Sequence, residues 1–133
     1  MNEATAKLNT YRQSPRKVRL VANAVRGKKV ADALIALEFI PRRSAEPLQK
    51  LLASALANAK NLSIPTENLI VKEITVNAGA TLHRRRPRSK GMSNPIRKRT
   101  SHVSVTLAEG NKVNKLKKLK KKNLSNLSPS LTS

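Results

Sequence analysis

The chain lacks cysteine altogether, and its only aromatic side chains are Tyr11 and Phe39. Without cysteine it can form no disulfide, no thiolate nucleophile and no thiolate ligand for zinc. With so few aromatic rings it cannot build the stacking platform on which readers of single-stranded nucleic acid place successive bases. No apolar run approaches the roughly 20 residues of a membrane span, and the N-terminus has no signal-peptide core. We therefore expect no membrane partner and a cytoplasmic location.

Acidic residues are also scarce. The 133 residues include 28 Lys and Arg but only 7 Asp and Glu, which gives a formal net charge of +21. Self-repulsion of this size disfavours the compact state, so we expect a polyanion to neutralise the folded protein. The chain length suits one domain. Nucleic acid is the natural partner, and the shortage of aromatic rings favours folded RNA or duplex DNA held through phosphates and shape.

The sequence offers little for catalysis. His83 and His102 are the only histidines, and each is flanked by cations without a carboxylate to orient its ring. Neither a Gly-rich phosphate loop nor a metal-ligand spacing appears, so we predict no cofactor and no metal. A nuclease assembled from Arg99, His102 and Glu109 is the enzymatic alternative. We predict that the protein is not an enzyme.

Apolar periodicity predicts three helices. The first covers 15–26 and begins with Ser14 as N-cap and Pro15 at the first helical position. The second carries apolar residues from Val30 onward and ends before Pro41. The third has Ser44 as its N-cap and the clearest apolar stripe in the chain. That stripe consists of Leu48, Leu51, Leu52, Ala55, Leu56 and Ala59.

Alternating apolar residues predict three strands. A short edge strand is expected over 4–12, and a longer strand over 69–78 places Ile74, Val76 and Ala78 on one face. A strand over 102–108 alternates in the same way and is its expected antiparallel partner.

The segment 79–101 between the last two strands contains no acid and is much longer than a hairpin loop of two to five residues. With about ten residues per arm, it could project some 30 Å as a long hairpin. Pro87 and Pro95 indicate arms that pair poorly with each other. The expected tip is Lys90, Gly91, Met92 and Ser93. The cations of this segment, all predicted to bind RNA, are Arg84, Arg85, Arg86, Arg88, Lys90, Arg97, Lys98 and Arg99.

Two further basic regions are present, one around the first helix within the predicted domain of residues 1–109 and one in the tail that follows this domain. No acid lies between residues 4 and 31, so the cations around the first helix are predicted to contact phosphate, with a solvated helix face as the alternative. Arg16 and Arg19 are expected on the face away from Val18 and Val25. The tail 110–133 is rich in lysine and is expected to be disordered or ordered by RNA. The cations of the first region are Arg12, Arg16, Lys17, Arg19, Arg26, Lys28 and Lys29.

Four stretches together resemble the family of large-subunit ribosomal protein twenty-two. They are SPRKVRLVANAVRGKKVADAL at 14–34, PRRSAEPLQKLLASALANA at 41–59, RRRPRSKG at 84–91 and IRKRTSHVSVTL at 96–107. The resemblance spans residues 5–109.

The resemblance implies an α+β fold with three helices packed on a small antiparallel three-stranded sheet and a long protruding β-hairpin. It also implies a monomeric structural constituent of the large ribosomal subunit in the cytoplasm. Such a protein binds large-subunit rRNA, bridges several rRNA domains during assembly, contacts neighbouring large-subunit proteins and lines the polypeptide exit tunnel. The hairpin tip, 90–93, would then lie near the nascent polypeptide. Without the resemblance, the alternative is a DNA-bending architectural protein with a basic ribbon arm in the minor groove.

Overall fold

The computed structural model describes residues 3–110 of the chain. The predicted tail 110–133 therefore lies outside the described residues except for Gly110, whose N–H donates to the carbonyl of Asn68. The three helices and the three strands predicted over 4–12, 69–78 and 102–108 begin and end close to their predicted bounds. The elements in chain order are β1 (Glu3–Tyr11), α1 (Pro15–Val25), α2 (Val30–Glu38), α3 (Ala45–Asn61), β2 (Leu69–Ala78), β3 (Leu82–Pro87), β4 (Ser93–Lys98) and β5 (Ser101–Glu109).

Strands β1, β5 and β2 form a three-stranded sheet in that order, with β5 antiparallel to both neighbours. The predicted edge position of β1 and the predicted pairing of β2 with β5 are both confirmed. Val103, Val105 and Leu107 of β5 are buried beneath the helices, whereas the alternate residues Ser104 and Thr106 are only half-buried. One face of the sheet thus packs against the helices and the other is polar, as is common in antiparallel sheets. The predicted α+β class is confirmed.

A β-bulge changes the inward face of β2. Val71 pairs with Leu107 and Glu73 with Thr106, so Lys72 is the extra residue on this strand. Because a bulge shifts the side-chain alternation by one residue, Val71 and Ile74 both face the core despite their odd spacing. The predicted alternation is correct for Ile74 and Val76. Ala78 shares their face, as predicted, because it pairs with Ser101 in the same register, but it is exposed where the strand leaves the helix-covered body.

Ser14 and Ser44 occupy the cap positions of α1 and α3, as predicted, but neither side chain makes a capping hydrogen bond. Ser44 has φ −82° and ψ −9°, which is already helical, and only 1% of the residue is exposed. A side-chain cap requires an extended backbone at the cap residue. Ser44 therefore contributes its carbonyl, which accepts from the Leu48 N–H, rather than its hydroxyl.

Candidate nucleic-acid interface

Strands β3 and β4 form a separate antiparallel ribbon that continues from the ends of β2 and β5. The pairing runs without a break from Leu82 and Lys98 at the base to Pro87 and Ser93 near the tip. Every residue of the two strands is exposed except Ile96, which is half-buried. The paired arms have six residues each and so span about 20 Å. The predicted hairpin is present, with shorter paired arms than the ten residues expected.

The expectation that the arms pair poorly is wrong. Near the tip, the Arg88 N–H donates to the Met92 carbonyl at 2.7 Å, which marks this pair as hydrogen-bonded. Hydrogen-bonded and non-hydrogen-bonded pairs alternate along an antiparallel ladder. Pro87 and Pro95 therefore fall at non-hydrogen-bonded positions, where an N–H would point away from the partner strand. A proline at such a position removes no ladder hydrogen bond.

The ribbon carries cations on both of its faces. Residues that pair across an antiparallel ladder share a face, and consecutive residues alternate. The pairs of Arg84 with Ile96 and of Leu82 with Lys98 therefore lie on one face. The pairs of His83 with Arg97 and of Arg85 with Pro95 lie on the other. Phosphate groups can consequently be bound on either side of the arm.

The turn at the end of the ribbon begins earlier than predicted. A short 3₁₀ turn covers Ser89–Gly91, and Ser93 already pairs with Pro87. Lys90 and Gly91 both have positive φ, 58° and 68° respectively, and the left-handed conformation is far easier for glycine. Of the predicted tip residues, Lys90, Gly91 and Met92 form the turn and Ser93 belongs to β4.

Three hydrogen bonds hold the base of the ribbon together. The Gly79 N–H donates to the Thr100 carbonyl at 3.0 Å, and the Thr100 hydroxyl donates to the Ala80 carbonyl at 2.7 Å. On the neighbouring strand, Nδ1 of His102 accepts from the Thr10 N–H at 3.1 Å. A Cβ added to Gly79 would lie 2.4 Å from the Thr100 hydroxyl oxygen and 2.9 Å from Nε2 of His102. Only glycine fits at this position without displacing its neighbours.

We therefore expect Gly79→Ala to lower the free energy of unfolding by about 1–3 kcal/mol, the usual cost of forcing an extra methyl into a packed site. Urea denaturation at fixed salt measures the change. Gly110→Ala serves as the comparison, because its added Cβ would meet nothing closer than 3.1 Å. An equal or smaller loss for Gly79→Ala than for Gly110→Ala would contradict the close packing at the base.

A cationic cleft of about 590 Å³ lies beside the base of the ribbon. Its walls come from three chain segments: the turn between β1 and α1, the turn before α3, and the end of β4 with the link to β5. Among the described residues, no salt bridge joins a cation of this cleft to an acid. The lining residues are Arg12, Gln13, Ser14, Arg43, Arg97, Lys98 and Arg99. We call this site the root cleft.

Tyr11 fixes the wall of the root cleft. Its hydroxyl donates to Oε1 of Gln13 at 2.8 Å and lies 3.3 Å from the carbonyl oxygen of Arg43. Burial raises the pKa of Tyr11, and the opposing effect of the Arg43 guanidinium is smaller, so the hydroxyl keeps the proton that it donates. The root cleft contains four predicted RNA-binding residues, and sequence analysis missed Arg43. The doublet Arg42-Arg43 before α3 was the available signal, but nothing in the sequence places it beside Arg12.

Arg19 and Arg26 have a structural role that their sequence positions did not reveal. Nε and Nη2 of Arg19 donate to the Val76 carbonyl at 3.1 and 2.9 Å, and Nη2 of Arg26 donates to the Ile74 carbonyl at 2.9 Å. These carbonyls lie on the edge of β2 that β5 does not pair. Arg19 is exposed, whereas Val18 and Val25 are buried, as expected. Its side chain nevertheless reaches β2, so that two guanidinium groups cap an otherwise open sheet edge.

Replacing Arg19 by methionine is expected to lower the free energy of unfolding by about 1 kcal/mol, because a carbonyl loses charged hydrogen-bond donors. Arg16→Met removes the same charge from an exposed position of α1 and should change stability by less than about 0.5 kcal/mol. Urea denaturation compares the two. A larger loss for Arg16→Met than for Arg19→Met would contradict the capping role.

The remaining predicted residues do not all meet at one site. Arg16 and Lys17 are exposed on α1. Lys28 and Lys29 lie at the opposite end of β2 from the ribbon, because the Lys28 carbonyl accepts from the Val71 N–H and Lys29 bridges to Ile70. The distance from Val71 to the base of the ribbon is about 25 Å along the strand.

The nuclease alternative finds no assembled site. His102 and Glu109 lie near opposite ends of β5, about 23 Å apart at the usual rise per residue, so they cannot act on the same bond. Within residues 3–110, the structure brings no three His, Cys, Asp or Glu side chains together as a metal site. No helix in the same range is both long and apolar enough to cross a membrane.

These features define a class of small α+β protein in which a helix-covered sheet carries a two-faced cationic arm with a cationic cleft at its root. The family model described as "Ribosomal protein L22p/L17e" matches residues 6–108. The chain belongs to this family of ribosomal proteins, as the resemblance predicted.

The chain is similar to proteins named "Large ribosomal subunit protein uL22". That of Lactobacillus helveticus is 52% identical over 112 residues, which cover 84% of this chain and 96% of the relative. That of Lactobacillus gasseri is 51% identical over the same coverage. That of Streptococcus pyogenes is 48% identical over 110 residues, covering 82% of this chain and 96% of the relative. The predicted cellular location, the ribosome in the cytoplasm, agrees with membership of this family.

Proposed function

We propose that the chain is a structural component of the large ribosomal subunit that binds large-subunit rRNA through its hairpin and root cleft. In this role it bridges several rRNA domains during assembly and lines the polypeptide exit tunnel with the hairpin. Its partners are large-subunit rRNA, neighbouring large-subunit proteins and, near Lys90, Gly91 and Met92, the nascent polypeptide. The chain acts as a monomer within the ribosome and needs no cofactor.

The observation that carries this proposal is the presence of cations on both faces of an exposed ribbon. A surface that binds a single duplex needs positive charge on one side only, whereas this arm has Arg84 on one face and Arg85 on the other. Guanidinium groups bind phosphate bidentately and are weakly hydrated, which suits contacts surrounded by nucleic acid. An arm inserted between segments of folded RNA would use both faces. Family membership supports the same conclusion.

Co-sedimentation tests the proposal directly. The endogenous protein should remain with large ribosomal subunits through a high-salt wash, because many phosphate contacts must be broken together to release it. In vitro, the full chain should bind deproteinised large-subunit rRNA more tightly than duplex DNA at matched salt. Release by the wash, or tighter binding to DNA, would support a DNA-binding architectural protein instead.

A further inference from the structure

The root cleft differs in shape from the cationic surface of the hairpin. On the ribbon, Arg84 and Arg86 follow one another along an extended strand. In the root cleft, three segments that are distant in sequence bring Arg12, Arg43 and Arg99 around one concave space. Clefts lined by charge of one sign concentrate the electrostatic field more strongly than flat or convex surfaces. This arrangement suits a compact concentration of negative charge rather than a linear series.

The number of cations sets what the root cleft can neutralise. Five positively charged side chains line about 590 Å³, and no acid is among the lining residues. One phosphodiester carries one negative charge, so a single phosphate would leave most of this charge unmatched. Like charges that line one cleft repel each other, and anions that enter the cleft relieve this repulsion. More than one phosphate in the cleft would satisfy the charges far better.

Phosphates become crowded where two backbone segments of a folded RNA approach each other. We propose that the root cleft binds such a close approach of two RNA backbone segments and takes the place of divalent cations there. The inference rests on the proposed function, since it requires that the protein bind folded RNA. It adds the kind of RNA feature that is bound and predicts how binding responds to Mg²⁺.

Tyr11 acts in this site as a positioning residue. Its hydroxyl donates to Oε1 of Gln13 in one wall and lies 3.3 Å from the carbonyl oxygen of Arg43 in another, so it positions the two walls relative to each other. Replacing Tyr11 by phenylalanine removes this link and leaves the net charge of the chain unchanged. A response of RNA folding to this variant would therefore report the geometry of the cleft rather than its total charge.

The experiment uses hydroxyl-radical protection to follow the folding of deproteinised large-subunit rRNA with the full chain bound. It measures the Mg²⁺ concentration at which the rRNA folds. The test variant is Arg12→Gln with Arg43→Gln, and the matched control is Lys7→Gln with Lys60→Gln, which removes the same charge at two exposed positions outside the predicted RNA-binding residues. All four residues are exposed, so neither variant disturbs the core, and equal urea-denaturation midpoints verify this.

We expect the cleft variant to raise the Mg²⁺ midpoint at protected sites at least twofold and the control variant to leave it nearly unchanged. Tyr11→Phe should give a smaller increase in the same direction. High Mg²⁺ should restore the affinity of the cleft variant, because divalent cations then neutralise the crowded phosphates. The same Mg²⁺ should not restore a variant that lacks the hairpin arginines.

Equal midpoints for the cleft and control variants would overturn the inference, since total charge alone would then explain binding. So would a cleft variant that binds less tightly at all Mg²⁺ concentrations alike, which would indicate one phosphate along a single strand. Both results leave the proposed function intact. By contrast, a wild-type chain that does not prefer large-subunit rRNA to duplex DNA would overturn the proposed function itself.

Discussion

Replacing the four arginines of the ascending arm by glutamine is expected to lower affinity for large-subunit rRNA on the order of 10³-fold near 0.1 M salt, because each lost phosphate contact forfeits released counterions. The slope of log K against log salt should become shallower by about three, and the single change Arg86→Ala should account for about one contact. Filter binding over a salt series measures both quantities. The four residues are Arg84, Arg85, Arg86 and Arg88.

The lysine-rich tail supplies the matched control for this prediction. Glutamine in place of Lys117, Lys118, Lys120 and Lys121 removes the same charge, and deleting 110–133 removes the whole tail. Both changes should weaken binding far less than loss of the arm, because lysine is more strongly hydrated and binds phosphate as a point charge rather than through a planar fork. If the tail variants lose as much affinity and slope as the hairpin variant, the arm is not the principal binding element.

Local patterns predicted the helices and the exposed arm well because these depend on nearby residues. The stripe on α3 recurs at helical spacing, and all of its members are buried except Leu56, which is partly buried. The acid-free composition of 79–101 similarly indicated a segment without a core of its own. In both cases the information lies within one stretch of chain, where periodicity and composition are sufficient.

The features that sequence analysis missed depend on register and on long-range contacts. The bulge at Lys72 cannot be inferred from alternation, because Leu69 to Ala78 is apolar at both odd and even positions. Whether Pro95 breaks the ribbon depends on which residue it faces. Arg19 caps a carbonyl 57 positions away in the chain. Each of these requires the paired strands to be known first.

The difference between local and long-range information also applies to individual arginines. Sequence treats Arg16 and Arg19 alike, and both are exposed, but only Arg19 is described as donating hydrogen bonds to the sheet edge. Arg43 was not singled out, yet it faces the root cleft with Arg12. Composition can therefore indicate that a chain binds a polyanion, while the assignment of individual cations requires the fold.

The folded body that supports these cations depends on a small aliphatic core, so truncating its centre should have a large effect. Leu52 of α3 has none of its surface exposed. Leu52→Ala is expected to lower the free energy of unfolding by about 3 kcal/mol, from lost burial together with the cavity left behind. A single domain of this size has total stability of only about 5–15 kcal/mol, so the variant should unfold at a much lower urea concentration.

Ser54→Ala provides the control on the opposite side of the same helix. Ser54 is exposed and alanine has the higher helix propensity, so this change should leave stability the same or raise it by a few tenths of a kcal/mol. Denaturation must be compared at one salt concentration, because anions screen the self-repulsion of a chain with net charge +21. If Leu52→Ala costs less than about 1 kcal/mol, α3 does not anchor the core. Binding of large-subunit rRNA should partly rescue the destabilised Leu52→Ala variant, since a ligand that binds only the folded state stabilises it by mass action.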